Sequence, residues 1–351
     1  MEIRIIGIGD PAGPGHIAGV IASISFRKFK ALRSTQLKLA PCNLVLGPSG
    51  SGKTSLIEAV LRLRTLARLP LAQPGATPGA ATKAGGPEIH FHFEAPFSAI
   101  SARMSCQSEL VCDLLEVRPP GDPGWPALKE RISRFRGFLF DHYEMAAPAA
   151  ETDHADLRSN GANLAAVLRA RRERAPAEFA QLVSEVCRIL PEFTALEFVS
   201  PGSGQVQLAM RLQEGGEVVT ADNLSQGTLY TLAFLTLAYD PLPPTVVCLE
   251  EVDRGIHPRA LREVRDALYR LSYPDAFGLK REPVQVIATT HSPHLLDLFR
   301  DHPEEIVISH KQGRAAHFER LSDRPDLADL LQEGSLGDMW FSGILGGVPE
   351  E

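Results

Sequence analysis

The chain has 351 residues, 44% of them hydrophobic, enough to bury the core of one large domain or two modest ones. A formal net charge of -7 offers no global attraction to a polyanion, so nucleic-acid contact would need a local basic patch or a partner. No apolar run approaches the ~18 residues that span a bilayer, because the best stretch, residues 231–239, is closed off by Asp240 and Pro241.

The N-terminal stretch MEIRIIGIGDPAGPG lacks the basic start, long apolar segment and cleavage site of a secretion signal, so the cytoplasm is the expected compartment. Cys42, Cys106, Cys112, Cys187 and Cys248 are odd in number and show no CxxC spacing. That pattern argues against a disulfide framework or a zinc site and predicts reduced, mostly buried thiols.

Residues 1–19 are rich in Gly and Pro and read as a loosely held extension. VIASISFRKFKAL, from Val20, alternates as a strand does, and PCNLVLG is a short apolar strand running into a glycine-rich loop. Residues 54–69 predict an amphipathic helix, with Leu56, Ile57, Val60, Leu61 and Leu63 recurring at helical spacing. The Gly, Ala and Pro of residues 71–87 break regular structure and open an insert that runs to about Thr220. Within it, residues 88–117 alternate as strands (EIHFHF), residues 163–190 are helical and Arg-rich, and residues 205–212 return to a strand pattern. Beyond the insert, buried strands at 245–249 and 284–288 alternate with helical segments, the pattern of an α/β protein with a mainly parallel sheet. The expected organisation is an extension (1–19), a nucleotide-binding lobe (20–70 and 221–322), an inserted β/helical lobe (71–220) and a tail (323–351).

The run Gly47, Pro48, Ser49, Gly50, Ser51, Gly52, Lys53, Thr54 matches GxxxxGK[ST] between an apolar strand and an amphipathic helix, the context the motif requires. Glycines let backbone N–H groups turn in on phosphates, and the helix N-terminus adds partial positive charge. Lys53 can neutralise β- and γ-phosphate oxygens, and Thr54 offers a hydroxyl to Mg²⁺, so ATP and Mg²⁺ are the expected ligands. In TVVCLEE a buried strand ends in Glu250 and Glu251, 197 positions after Lys53 in the case of Glu250. At a ligand-facing sheet edge, Glu250 is assigned to the metal and Glu251 to the attacking water. LSQGT precedes an apolar helix that Ser225 can cap, and its N–H groups with Gly227 offer a second anion site. ATTHSPHLLDLF delivers His291 to the same edge, where it can donate a hydrogen bond to a γ-phosphate.

These motifs together resemble the ABC-type ATPases of the SMC, RecF and OLD group, most closely compact AAA-type ATPases related to OLD proteins. The resemblance is carried by FRKFKAL, GPSGSGKT, NLAAVL at 163–168, LSQGT, CLEEVDRGIHP and ATTHSPHLLD in that order, and covers roughly Val20 onward. It implies a P-loop NTPase fold like an ABC or SMC head, with an antiparallel β subdomain and a helical insert. It also implies that two heads close around two ATP molecules, Ser225 and Gly227 of one facing the nucleotide of the other, so the expected partner is a second copy in a head-to-tail homodimer. The sequence departs from the group at Glu250, where transporters and SMC heads usually carry Asp, and at Gln226 and Thr228 of the signature. Gln107 is the candidate glutamine-loop residue, and Arg27, Lys28 and Phe29 are candidates for the adenine.

OLD proteins append a TOPRIM nuclease, whereas only about thirty residues follow the last family-like strands here. The resemblance therefore suggests a separate effector of that type, in DNA repair or antiphage defence, for which Met339, Trp340, Phe341, Ile344 and Leu345 are candidate docking residues. Alternatives are the nucleotide-binding subunit of a membrane transporter and a non-hydrolysing ATP sensor. Arg169, Arg171, Arg172 and Arg174, with Arg131, Arg134 and Arg136, read either as a solvated helix face or as a DNA-binding surface.

Overall fold

Alternation along each strand decides which face of one large sheet its side chains join. The computed structural model describes residues 19–71 and 86–346. β1 (Ile21–Phe29) and β2 (Leu32–Lys38) form a hairpin, and β3 (Cys42–Leu46) runs into the glycine-rich loop and α1 (Lys53–Ala67). β4 (Glu88–Phe93), β5 (Ser101–Cys106) and β6 (Cys112–Arg118) follow, then α2 (Trp125–Ser133), β7 (Phe135–Phe138), α3 (His142–Ala146) and β8 (Ala149–Ala150). Next come α4 (Leu164–Arg174), α5 (Pro176–Ile189), β9 (Phe193–Val199), β10 (Gln205–Leu212) and β11 (Val218–Thr220). α6 (Gln226–Ala238), β12 (Val246–Leu249), α7 (Leu261–Ser272), β13 (Gln285–Thr290) and α8 (Pro293–Leu298) restore the α/β alternation. β14 (Ile306–Gln312), β15 (Ala315–Arg320), α9 (Leu327–Glu333) and α10 (Leu336–Phe341) complete the chain.

Eleven strands form the main sheet in the order β6-β5-β4-β1-β2-β15-β14-β3-β13-β12-β7. β14, β3, β13, β12 and β7 are mutually parallel, and β1 with β2, β4, β5 and β6 supply the antiparallel part. Leu44, Leu46, Val247, Leu249, Val286 and Ala288 point to one core and Val45, Val246, Cys248 and Ile287 to the other, the period-2 consequence of a strand covered on both faces. α1 touches both β6 and β7, the two ends of the strand order, so the sheet curls around this helix. A smaller antiparallel sheet, β11-β10-β8 with β9 also on β10, packs against α4 and α5.

The segment 71–220 is thus divided. Its strands β4 to β7 belong to the main sheet, and only β8 to β11 with α4 and α5 build a separate layer.

Two expectations are corrected. Cys106 and Cys112 are joined in a disulfide rather than reduced, because the antiparallel register sets them opposite each other at the mouth of the β5–β6 hairpin. Cys42, Cys187 and Cys248 are free, and only Cys42 and Cys248 are buried. In the tail, Met339, Trp340 and Leu345 are buried against the chain's own core, while Phe341 and Ile344 are exposed. α10 is anchored by Gly337 N–H donating to Asp297 at 2.9 Å, where a side chain at Gly337 would run into the Pro293 carbonyl. Among the described residues, no helix is long and apolar enough to cross a membrane.

Candidate nucleotide-binding site

The loop after β3 is shaped by close approaches that only glycine permits. A Cβ on Gly47 would lie 2.4 Å from Ser51 Oγ and 2.6 Å from the Ser309 carbonyl oxygen. At Gly52, φ is +97° and a Cβ would sit 2.6 Å from Leu32 Cδ2, so both packing and backbone demand glycine. Gly52 gives α1 no side-chain cap, which leaves the first N–H groups of a 15-residue helix open to an anion. Lys53 Nζ donates to the carbonyls of Gly47 at 2.7 Å and Pro48 at 3.1 Å. Desolvation pulls the Lys53 pKa down to about 8, with Glu251 opposing the shift.

The parallel register places the other groups beside this loop. Thr290 of β13 pairs with Leu46 of β3, and Leu249 of β12 pairs with Ala288 of β13, so three strand ends lie in neighbouring positions about 5 Å apart. Glu250 N–H donates to Phe138 O at 2.9 Å, and the Glu250 carboxylate accepts from Thr54 Oγ1 at 3.1 Å. Burial raises the Glu250 pKa; the Thr54 bond lowers it, and the adjacent Glu251 raises it further. A hydroxyl from the first turn of α1 and a carboxylate just past β12, already in contact, can both reach one hard divalent cation, so these residues fit Mg²⁺.

Glu251 adopts φ +52°, a left-handed conformation that a non-glycine residue holds only at a cost. It is fixed there by its N–H donating to Thr289 Oγ1 at 3.0 Å, while Val252 N–H donates to Thr289 O at 3.0 Å. The side chain is half exposed, with Arg254 at 3.8 Å. Asp253 accepts from Thr290 Oγ1 at 2.6 Å and from His291 N–H at 3.3 Å, which pins the start of the His291 turn. Burial first and Lys53 second lower the His291 pKa, with Asp253 and Glu251 opposing, so the ring is neutral near pH 7.

Ser225 caps α6, its Oγ accepting from Thr228 N–H at 3.1 Å. Its neighbour Gln226 donates to Tyr230 OH at 3.1 Å, and Tyr230 OH donates to Phe140 O at 3.1 Å. A Cβ on Gly227 would stand 3.4 Å from Gly255 O, so the loop after the Glu pair backs directly onto this turn. Among the described residues, no hydrogen bond joins Ser225 or Gly227 to Lys53 or Thr54; within one chain the turn behaves as a helix cap.

A family profile described as "AAA domain, putative AbiEii toxin, Type IV TA system" matches residues 42–297, from β3 through the His291 segment. The chain belongs to this family. No curated protein matches it by sequence. Among solved structures, the SmcHead bound to the C-winged helix domain of ScpA aligns at 12% identity with a TM-score of 0.58, over 85% of this chain and 96% of that one. An Smc head with an extended coiled coil bound to the C-terminal domain of ScpA, derived from Pyrococcus furiosus, aligns at 11% identity and 0.55, over 89% and 99%. The SMC head domain from Thermotoga maritima gives 13% and 0.51, over 86% and 98%. At such identities the likeness is one of fold, the SMC-head-like P-loop NTPase fold.

Several residues of this family member escape a reading of motifs. Ser309 Oγ donates to Ser51 O at 2.5 Å, and Lys311 Nζ lies 3.4 Å from where a Gly50 side chain would begin, so β14 braces the loop from beneath. Nothing in the sequence signals this, because β14 lies more than 250 positions downstream. Asp253 follows the Glu pair within CLEEVDRGIHP, and the carboxylate's spacing was its available signal. Phe29 is fully buried, with the Arg62 guanidinium 5.5 Å from its ring centre, which removes it as an adenine platform. Gln107 sits exposed in the β5–β6 turn, bonded to Asp113, between strands six and seven places from β3 in the strand order.

Proposed function

We propose that the chain binds ATP with Mg²⁺ and hydrolyses it, and that ATP-dependent pairing of two copies controls a separate effector. The observation that carries this reading is the meeting of Thr54 and Glu250 at 3.1 Å, beside Lys53, Glu251 and His291, at three adjacent strand ends. Gly47, Pro48, Ser49, Gly50, Ser51 and Gly52 wrap the phosphates with backbone N–H groups. Lys53 exchanges its two loop carbonyls for β- and γ-phosphate oxygens. Thr54 and Glu250 hold Mg²⁺, which when bound neutralises charge on the phosphate oxygens.

Glu251 then orients the attacking water and accepts its proton, and neutral His291 donates an N–H to the γ-phosphate. Thr289 and Asp253 position these two groups without touching substrate. In the dimer, Ser225 and Gly227 of one copy present the α6 N-terminus to the nucleotide held by the other. The companion docks as ScpA does on SMC heads, where the solved complexes set a second protein against this fold. A TOPRIM-type nuclease in DNA repair or antiphage defence suits that role, and the family's description is compatible with a toxin–antitoxin setting.

ATP turnover by wild type and Glu251→Gln tests the reading. Hydrolysis by wild type, lost in a variant that still binds ATP, supports it; equal turnover in both refutes the role of Glu251, and no turnover in either leaves a nucleotide sensor.

A further inference from the structure

Two arginine groups more than thirty residues apart in sequence meet at one cavity of about 350 Å³ on the far flank of β7. Arg134 and Arg136 come from the start of that edge strand, and Arg171 and Arg174 from the last turn of α4. The loop between α6 and β12 and the segment around His154 close the remaining sides.

The four guanidinium groups are not equivalent. Arg171 is buried, donating to Thr236 O at 2.6 Å and pairing with Asp240 at 3.0 Å, so it is part of the frame and is not a surface for DNA. Arg136 pairs with Asp156 at 2.7 Å, and the Asp156 side chain is 71% exposed. Arg134 donates only to the Pro243 carbonyl, and Arg174 faces His154 Nε2 at 3.5 Å. Among the described residues neither has a carboxylate partner. His154 Nδ1 is buried and lacks a hydrogen-bond partner.

A concave, part-apolar site with more guanidinium than carboxylate is what a phosphate-bearing ligand requires, and its volume lies within the ~300–1,000 Å³ of small-molecule sites. In a chain of net charge -7, that excess has to be held locally. We infer that this cavity is an anion site for a phosphorylated nucleotide unit, with Arg134 and Arg174 on the phosphate, His154 behind Arg174, and the apolar rim at Leu242 beside the remainder. The unit is either a free mononucleotide or one residue of a nucleic-acid strand, since both present the same phosphate. The site is separate from the loop that carries Lys53, and the inference does not rest on ATP hydrolysis.

The test uses the full chain carrying Lys53→Ala, so that the glycine-rich loop does not contribute, and titrates inorganic phosphate, AMP and a twelve-nucleotide single-stranded DNA by calorimetry. Saturable binding of at least one probe is expected, weakening as salt rises and falling at least tenfold in Arg174→Glu and in Arg134→Ala/Arg174→Ala. Arg174→Lys, which keeps the charge, should retain most of the affinity, and unchanged melting of each variant separates lost binding from lost fold. DNA binding at least tenfold tighter than AMP assigns the site to a strand; comparable affinities assign it to a mononucleotide. No saturable binding by any probe, or binding unchanged in folded Arg174→Glu, overturns the inference.

Discussion

The phosphate end of the nucleotide site and the signature turn are built from the same materials, yet they stand in different states. At the phosphate end, Lys53 and Thr54 open α1 after β3, Glu250 follows β12 and His291 follows β13; the parallel register draws them together, with Thr54 already on Glu250. At the signature turn, Ser225 uses its hydroxyl to cap its own helix, and Gly227 packs against the Gly255 carbonyl, 3.4 Å from where a Cβ would begin. One region is assembled within a single chain. The other caps its own helix and makes no hydrogen bond to the phosphate loop among the described residues, and this difference motivates the proposal that a second copy uses it.

Substitutions at the two ends should therefore fail differently. The largest effect is expected from Lys53→Ala, which removes the cation from the phosphate cradle; ATP affinity, followed by calorimetry, should fall by roughly a hundredfold or more, since charge-assisted bonds to phosphate are among the strongest polar contacts. Glu251→Gln should leave affinity intact and lower turnover by about 10²–10⁴, the range a general base contributes. A variant that hydrolyses at the wild-type rate would move the base elsewhere.

A pH series sharpens the same end. Lys53 carries its proton in the free protein only up to about pH 8. Binding a polyanion favours the charged form, so ATP affinity should be level below pH 8 and fall by up to tenfold per unit above it. A flat profile to pH 10 would show that Lys53 keeps its charge and that desolvation there is weak.

Ser225→Ala is the smallest perturbation, and it probes the other end. Losing a cap costs about 1 kcal/mol of stability in a denaturant titration. ATP binding to a single chain should not change, because no hydrogen bond among the described residues links Ser225 to the phosphate loop. A large drop in single-chain affinity would mean that the signature serves its own nucleotide.

How far the fold was legible depended on whether its signal was local. Strand β10 was readable to the residue from its alternation, and the Ser225 cap from its place before an apolar helix. The glycine-rich loop was readable because close backbone approach at Gly47 and left-handed geometry at Gly52 dictate residue type. Ser309 and Lys311 were not, since their contact with the loop depends on β14 lying beside β3. Arg171 was misjudged for a related reason: its charge was visible, but Asp240, which neutralises it, lies 69 positions away. The Cys106–Cys112 pair was missed because its spacing is set by a hairpin turn.

The central claim is that Ser225 and Gly227 complete a site on another copy. The most direct measurement is the mass of Glu251→Gln by light scattering, with and without saturating ATP and Mg²⁺, alongside Lys53→Ala. The account predicts monomer without nucleotide, dimer with it, and monomer throughout for Lys53→Ala. Glu251→Gln that binds ATP and stays monomeric at saturation would contradict it.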